Sequence, residues 1–387
     1  MNKKVFIGVA FIIAAVAIGI VFLYQGGNKA ASNRTLPTYF TYSTGDLAPL
    51  QSLKAPSTVI TQADLIKWDQ EMFSWVSSHK WADTFASRMY AYTLMAQRDA
   101  AFLSFNANQK FTGTVGPISK KIGCEFFPDS CADIVSDSDA YSEALADIVM
   151  KKVKARIAED AQMTKLYELK TGDTSWTGPD PRIGQDSGSW KPWFLASGDQ
   201  FRVEPPPHPV GTEEMIKQLA LVKDALANIT ETQRQSVIFW AGNPGTKTPP
   251  GQWIQITDDY LRDQGISVEQ SLIVRSALSA AVADAVIAVF DSKYTHFLKR
   301  PFMMDGSIIT IMPTPNHPSY PAGHATLSSA AATILSHYFP AESKKWDDLK
   351  LEAGNGRTWG GIHFPIDNTT GFVLGQKVAE EAIRQLK

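Results

Sequence analysis

The feature that most constrains the fold is an alanine-rich stretch that runs from Ser267 to Lys293. Ser267 and Gln270 have the spacing of a capping box, which marks the start of a helix. The small residues that follow predict a long helix that packs closely against its neighbours. No stretch of any length alternates apolar and polar residues with the period of a strand. We therefore expect a mainly α fold.

The composition is that of a chain with a large buried core. Of its 387 residues, 44% are hydrophobic and 20% are charged, a balance typical of globular proteins. Its 37 Lys and Arg against 39 Asp and Glu give a net charge of -2, so no general positive field attracts nucleic acid. Any anion site must then be a local concentration of positive charge.

An apolar run from Val5 to Tyr24 follows Lys3 and Lys4 at the N-terminus. Its length matches the hydrocarbon core of a bilayer, whereas the apolar part of a cleaved signal is usually shorter. We therefore expect a signal-anchor that attaches the protein to the membrane and exports the rest of the chain from the cytoplasm, with the lysines inside. A cleaved signal, which would leave a secreted or periplasmic protein, is the alternative.

The composition also predicts the division of the chain. Residues 1–32 are expected to hold the signal-anchor or signal peptide and a tether. Residues 33–60, which are rich in Ser, Thr and Pro, predict an extended linker. Residues 61–387 are expected to form an α-helical domain, with helical patterning at 61 to about 106 and about 138 to 169.

Two stretches of this domain are expected to be irregular. Residues 171–212 contain many Gly, Pro and Trp, and they predict an ordered loop because its aromatic side chains would be costly to leave in water. Residues 242–248 superficially resemble a phosphate loop but lack its Gly-x-x-x-x-Gly-Lys-Ser/Thr spacing, so we expect a turn there.

The cysteine content allows one disulfide. Cys124 and Cys131 are the two cysteines of the chain, and an exported location would permit them to pair across a short loop. No His-x-x-x-His or Cys-x-x-Cys spacing indicates a structural zinc site.

The candidate catalytic residues concentrate in the last quarter of the chain, which holds five of the seven histidines. These are His296, His317, His324, His337 and His363. Lys293 and Arg300 are two helical turns apart and would point the same way if the helix persists to Pro301. A surface pair at a helix end is the alternative interpretation of this spacing.

Two further segments supply complementary groups. Gly323 and His324 precede a strong helical pattern, so they lie at a helix start, where free backbone N–H groups favour an oxyanion. An ordinary capped turn is the alternative. Asp367 follows His363 by one turn, which lets its carboxylate orient the imidazole, and Arg357 adds a planar fork suited to a tetrahedral anion.

Together the three segments provide a lysine, two arginines, a helix N-terminus and two histidines, one of them with a carboxylate partner. A protein that binds a phosphate-like oxyanion and catalyses its reaction requires such a set of side chains. Fixed donors stabilise the negative charge that the transition state spreads over the oxygens.

These three segments, in this order along the chain, resemble the signature of the type 2 phosphatidic acid phosphatase and vanadium haloperoxidase superfamily. The signature of that superfamily is Lys-x6-Arg-Pro, then Pro-Ser-Gly-His, then Ser-Arg-x5-His-x3-Asp. The matching residues are Lys293, Arg300, Pro301, Pro321, Gly323, His324, Arg357, His363 and Asp367. Upstream segments near residues 188–207 and 238–240 look like the soluble bacterial haloperoxidase-like branch. The resemblance implies a helical-bundle fold with the active site within residues 290–370.

This chain departs from the family pattern at several positions. Ala322 replaces the serine whose hydroxyl contacts the oxyanion in the family, which removes one donor, worth about 1–3 kcal/mol if its partner stays unsatisfied. Gly356 replaces the serine before the arginine. Phe290 stands where members often have a tryptophan, and His317 stands where they have phenylalanine or histidine. Because these last two positions affect halide handling in the family, Phe290 and His317 are candidates for a halide pocket.

The resemblance implies a vanadium-dependent haloperoxidase, which oxidises halide with hydrogen peroxide. Its cofactor, vanadate, would be bound by Lys293, Arg300, Gly323 and Arg357, with vanadium ligated by His363. Asp367 would orient His363, and His324 would assist deprotonation of the peroxide.

An acid phosphatase that acts on phosphomonoesters is the alternative implied by the same residues. There His363 would attack phosphorus to form a phosphohistidine, and His324 would protonate the leaving oxygen. A third hypothesis, from another class, is an exported surface protein that binds phosphate without turnover. The intact pair of His324 and His363 argues against it.

Overall fold

The computed structural model describes residues 34–386, and apart from isolated β-bridges all regular secondary structure in that range is helical. The α-helices are α1 (Thr44–Leu47), α2 (Gln62–Ser78), α3 (Asp83–Asn108), α4 (Gly116–Phe126), α5 (Ala140–Met163), α6 (Glu213–Ala227), α7 (Glu231–Phe239), α8 (Thr248–Asp263), α9 (Val268–His296), α10 (Pro301–Met304), α11 (Gly323–Tyr338), α12 (Ser343–Trp359) and α13 (Pro365–Gln385). Short 3₁₀ turns lie at Ala48–Ser52, Pro128–Asp133, Ser187–Ser189 and Pro340–Glu342. The expectation of a mainly α fold is confirmed.

Helix α9, expected from the alanine-rich stretch, is buried along most of its length. Helices α3, α11 and α13 pack against it, which its small side chains permit. The Ser267 side chain accepts from the Gln270 backbone N–H (3.2 Å), one half of the expected capping box. Among the described residues, α9 alone is long and apolar enough to cross a bilayer, and 94% of its most apolar window is buried in the protein. The expectation of a membrane helix at Val5–Tyr24 lies outside the described residues.

The segment expected to be an extended linker belongs to the folded unit, which begins at Thr35. The backbone N–H groups of Tyr39 and Phe40 donate to the Asp99 carboxylate of α3, at 2.7 and 2.9 Å. The expectation of a linker over residues 33–60 is therefore wrong from Thr35 onward, because aromatic side chains and a buried carboxylate fix the segment to the domain.

The helical pattern predicted for residues 61–106 forms two helices rather than one. Helix α2 ends at Ser78 and α3 begins at Asp83. Between them Lys80 adopts a left-handed conformation with φ of 52°. Since a right-handed helix cannot continue through that conformation, the chain turns here.

The loop at residues 171–212 is ordered, as predicted. Its buried aromatic side chains are Trp176, Trp190, Trp193 and Phe194. Asp284 of α9 accepts hydrogen bonds from the backbone N–H groups of Trp193 (2.7 Å), Phe194 (2.7 Å) and Leu195 (3.1 Å). Burial raises the pKa of Asp284 to about 6, and these three N–H groups oppose the shift. The carboxylate thus anchors the loop to the central helix.

The expected disulfide is present between Cys124 and Cys131, whose Cα atoms are 4.5 Å apart. It joins the end of α4 to the 3₁₀ turn that follows, so it fixes a local loop.

A buried charge cluster joins three helices in the core. Arg275 of α9 pairs with Asp69 of α2 and, at 2.9 Å, with Asp258 of α8, and all three side chains are nearly inaccessible. Two carboxylates face one guanidinium, so one negative charge lacks a partner in the cluster. Burial and the charge of Asp69 raise the pKa of Asp258 well above its ordinary value.

We expect Asp258→Asn to change the free energy of unfolding at pH 7 by less than about 1 kcal/mol, because the amide resembles the protonated acid. Arg275→Met should cost about 3–5 kcal/mol, since it leaves buried carboxylates without their cation. Urea denaturation of both variants measures the difference. Equal destabilisation by the two substitutions would show that both carboxylates are ionised and needed.

Candidate active site

A turn, and not a continuous helix, brings Lys293 and Arg300 together. Helix α9 ends at His296, and Phe297 adopts a left-handed conformation with φ of 56°. Arg300 lies beyond this turn, directly before α10. The condition that the helix persists to Pro301 is therefore not met, although both side chains bond to the loop before α11.

Lys293 and Arg300 tie together the loops around the site. The Lys293 ammonium donates to the carbonyls of Pro318 (2.9 Å) and Ser319 (2.7 Å). The Arg300 guanidinium donates to the carbonyls of His317 (3.1 Å) and Ile362 (2.9 Å). These bonds join the loop before α11 to the loop before α13.

Arg357, near the end of α12, has weaker partners. Its Nη2 donates to the Val237 carbonyl (3.2 Å) and its Nη1 to the Met312 sulfur (3.0 Å). Its Nε has no hydrogen-bond partner. A guanidinium buried in this way retains unused capacity to bind an acceptor.

The three cations are fully buried, and among the described residues none of them forms an ion pair with a carboxylate. Burial lowers the pKa of Arg357 to about 9 and that of Arg300 to about 10. The pKa of Lys293 falls well below its ordinary value because of burial and the charge of Arg300, which Asp367 and Asp83 only partly offset. A bound anion would supply the missing negative charge.

The hydrogen bonds of His363 define its tautomer. Arg300 Nη1 lies 3.2 Å from His363 Nε2 and can only donate, so Nε2 carries the lone pair. His363 Nδ1 then donates to Asp367 Oδ2 at 2.8 Å, as the sequence spacing predicts. Burial, followed by the charges of Arg300 and Lys293, lowers the pKa of His363 well below its ordinary value. The imidazole is therefore neutral, with an available nitrogen.

Ser319 joins this pair, a contact that the sequence analysis missed. Its hydroxyl donates to Asp367 Oδ2 at 2.6 Å and lies 3.2 Å from His363 Nδ1. Ser319 stands three residues before Ala322, within the segment singled out in the sequence. Because its hydroxyl is committed to Asp367, it does not replace the hydroxyl that is missing at position 322.

His324 and Gly323 begin α11, as predicted. His324 Nε2 donates to the Trp240 carbonyl (2.8 Å), which leaves the lone pair on Nδ1. Burial and the charge of Arg357 lower the pKa of His324 well below its ordinary value. A Cβ built on Gly323 would lie 4.0 Å from the Lys293 Cε, so the first amide of the helix lies beside the buried lysine.

A small cavity of about 40 Å³ lies at this point. Its lining includes the polar side chains of Asp83, Asn243, His317, His324 and His363 and the residue Gly323 at the start of α11. Lys293, Arg300 and Arg357 are not among the lining residues. The volume exceeds the roughly 30 Å³ that a water molecule occupies in the liquid, so the cavity has room for a small group. The sequence analysis missed Asp83, which lies far upstream at the start of α3, and assigned the segment around Asn243 only a turn.

The two candidates for a halide pocket have different positions. His317 lines the cavity, and its Nδ1 lies 3.1 Å from both Arg300 Nη2 and the Pro318 carbonyl. Phe290 is buried behind it, with the two ring centroids 5.1 Å apart.

The C-terminal helices that carry most of the site are similar in sequence to a known family. Residues 273–385 match the sequence profile of the PAP2 superfamily. The matched range holds Lys293, Arg300, His324, Arg357 and His363, and it leaves out Asp83 and Asn243 of the cavity lining. No curated protein matches the sequence significantly.

Solved structures extend the likeness to almost the whole described chain. The first bacterial vanadium-dependent iodoperoxidase structure has a TM-score of 0.73 at 21% identity, covering 86% of this chain and 99% of that one. A bacterial vanadium-dependent chloroperoxidase is similar in its holo form (TM-score 0.65, 12% identity, 80% of this chain and 95% of that one). Its apo form has a TM-score of 0.63 at 14% identity, covering 80% and 98%. At these identities the likeness defines the fold.

We expect Arg357→Met to raise the thermal unfolding temperature of the anion-free protein at pH 7. Because the folded-state pKa of Arg357 is lowered to about 9, its buried charge costs folding free energy below that pH, and stability rises as the pH passes through that value. The same variant should lose the stabilisation that added phosphate gives the wild type.

The exposed Arg384 of α13, paired with Glu381, offers a matched control. Arg384→Met should alter neither the stability of the anion-free protein nor its response to phosphate. An Arg357→Met protein that is less stable and is still stabilised by phosphate would contradict the assignment of Arg357 to the anion site.

Proposed function

We propose that this protein is a vanadium-dependent haloperoxidase that oxidises halide with hydrogen peroxide. The observation that carries the proposal is the lone pair of His363 Nε2 beside the buried Arg300, in a site whose three buried cations lack carboxylate partners. The fold similarity, which covers 99% of the iodoperoxidase chain, supports this choice within the superfamily.

The residues present fit vanadate. Lys293, Arg300 and Arg357 would hold its oxygens together with the Gly323 amide, and the unpartnered Arg357 Nε offers a donor with no other acceptor. His363 Nε2 is the nitrogen available to the metal. When bound, vanadate supplies a Lewis acid that activates peroxide toward halide.

The protein side chains have separate tasks in this scheme. Asp367 keeps the His363 proton on Nδ1, so that Nε2 stays unprotonated. His324, neutral and with its lone pair on Nδ1, is suited to accept a proton from a substrate in the cavity. The cavity volume of about 40 Å³ has room for small species, as peroxide and halide are.

Acid phosphatase activity is the second candidate, and Ala322 favours it. A substrate that leaves after each turnover requires less tight binding than a resident vanadate does, and the buried Ala322 contributes no hydroxyl. In this reaction His363 Nε2 attacks phosphorus and the bond to the ester oxygen breaks, while a proton passes to the leaving oxygen. His324 would supply that proton after protonation, and would then activate water to release phosphate.

We also propose that the protein acts outside the cytoplasm. The apolar run at residues 5–24 and the Cys124–Cys131 disulfide support export.

We expect the full chain, incubated with vanadate, peroxide and iodide or bromide, to halogenate a phenolic dye, and His363→Ala to abolish that turnover. Dye absorbance measures the reaction. Release of p-nitrophenol from its phosphate ester at acidic pH, without turnover of any halide, would favour the phosphatase instead. Stabilisation by phosphate with neither activity would favour a binding protein.

We expect Ala322→Ser to bind vanadate about tenfold more tightly, because it restores one hydrogen bond to a charged group. Titration calorimetry measures the change. Gly356→Ser is the matched control: it restores the second family serine within α12, where a Cβ would lie 3.9 Å from the Val237 Cα, whereas Ala322 directly precedes Gly323 of the cavity lining. Equal gains from both variants, or no gain at 322, would contradict this account of the missing donor.

A further inference from the structure

The contact between Arg357 and Met312 joins a side chain of the anion site to an oxidisable sulfur. Arg357 Nη1 donates to Met312 Sδ at 3.0 Å. A thioether is a weak acceptor, so this arm of a fully buried guanidinium is poorly satisfied. A stronger acceptor at the sulfur would therefore change how Arg357 distributes its hydrogen bonds.

Met312 lies close to the cavity. It is 6% exposed and forms a small apolar cluster with Val237 and Ile362. Ile362 also lines the cavity, and the Val237 carbonyl binds the other arm of Arg357. The Gly360 backbone passes beside the sulfur, since a Cβ built there would lie 3.6 Å from Sδ. A small oxidant in the cavity is thus one side chain away from the thioether.

We propose that Met312 is an oxidation site through which peroxide lowers the affinity of Arg357 for the oxyanion. This inference rests on the proposed function, because haloperoxidase turnover requires hydrogen peroxide in the cavity. The modification needs no other reactant. One peroxide oxygen forms a bond to sulfur as the O–O bond breaks, water leaves, and the thioether is oxidised to a sulfoxide by two electrons while the peroxide is reduced.

The sulfoxide would act on the anion site through Arg357. Its oxygen is a much stronger acceptor than the thioether, and it lies where Nη1 already donates. Arg357 would then donate to the sulfoxide in competition with the bound anion. Excess peroxide would in this way slow the enzyme that consumes it, and reduction of the sulfoxide would restore activity.

Treatment of the full chain with hydrogen peroxide alone, without vanadate or halide, tests the inference. Peptide mass spectrometry follows oxidation of Met312, and titration with inorganic phosphate follows the affinity of the site. We expect the phosphate affinity to fall about tenfold, the loss of one charged hydrogen bond, in step with oxidation of Met312. Reduction by methionine sulfoxide reductase should restore the phosphate affinity. The reductase is applied to the native protein, or to the unfolded protein before refolding.

Two variants make the test specific. Met312→Leu should keep its phosphate affinity through the same treatment. Met163→Leu should not protect the site, although Met163 at the end of α5 is 45% exposed and far more accessible to peroxide. The measurements on wild-type protein need neither variant, so a folding defect in Met312→Leu does not remove the test.

Several results would overturn the inference. The inference is wrong if phosphate affinity falls while Met312 stays reduced, or if Met312 is oxidised and the affinity does not change. It is also wrong if the site binds no phosphate before treatment. Failure of the proposed function is distinguishable from these. If dye halogenation proceeds but peroxide does not oxidise Met312, the inference is rejected and the proposed function stands. Peroxide-sensitive phosphate binding without halogenation would reject the haloperoxidase and leave Met312 as an oxidation site.

Discussion

Three buried cations that lack carboxylate partners hold the catalytic part of this protein together. Lys293, Arg300 and Arg357 direct most of their hydrogen bonds to backbone carbonyls of the surrounding loops. Carbonyls satisfy the donors without cancelling the charge, so the positive charge of these side chains is only partly compensated within the protein. Burial of such charges is costly, and an anion in the cavity relieves that cost. Folding and anion binding are thus coupled through the same side chains.

Buried carboxylates further from the site fix loop segments to helices. Asp99 and Asp284 accept backbone N–H groups from the segments that cross α3 and α9. Their negative charge is used to fix loops to helices and is kept away from the cations. Asp83, which lines the cavity, and Asp367 are the exceptions, and Oδ2 of Asp367 is occupied by His363, Ser319 and the Phe364 N–H. This separation of charge explains how the chain keeps an anion site at a net charge of -2.

The sequence indicated the main helices and the site because both depend on local patterns. The alanine-rich stretch predicts α9, and the spacing of His363 and Asp367 predicts their hydrogen bond. The spacing of Lys293 and Arg300 predicts a common direction only if the helix continues, and no periodicity reveals the left-handed Phe297 that ends it. Asp83 and the Arg357–Met312 contact could not be predicted, since they depend on packing between segments distant in the sequence.

Compared with the superfamily signature, this chain differs at residues in or next to the anion site. Ala322 removes a hydroxyl, Ser319 directs its own to Asp367, and Met312 places a sulfur on an anion-binding arginine. These differences act on the strength of anion binding and leave the histidine geometry intact.

A crystal structure of the protein grown with vanadate tests the central claim most directly. The account predicts one bound anion in the cavity, within hydrogen-bonding distance of Lys293, Arg300 and Arg357 and next to His363 Nε2. Density for the anion elsewhere on the protein, or an Arg357 that points away from it, would contradict the account.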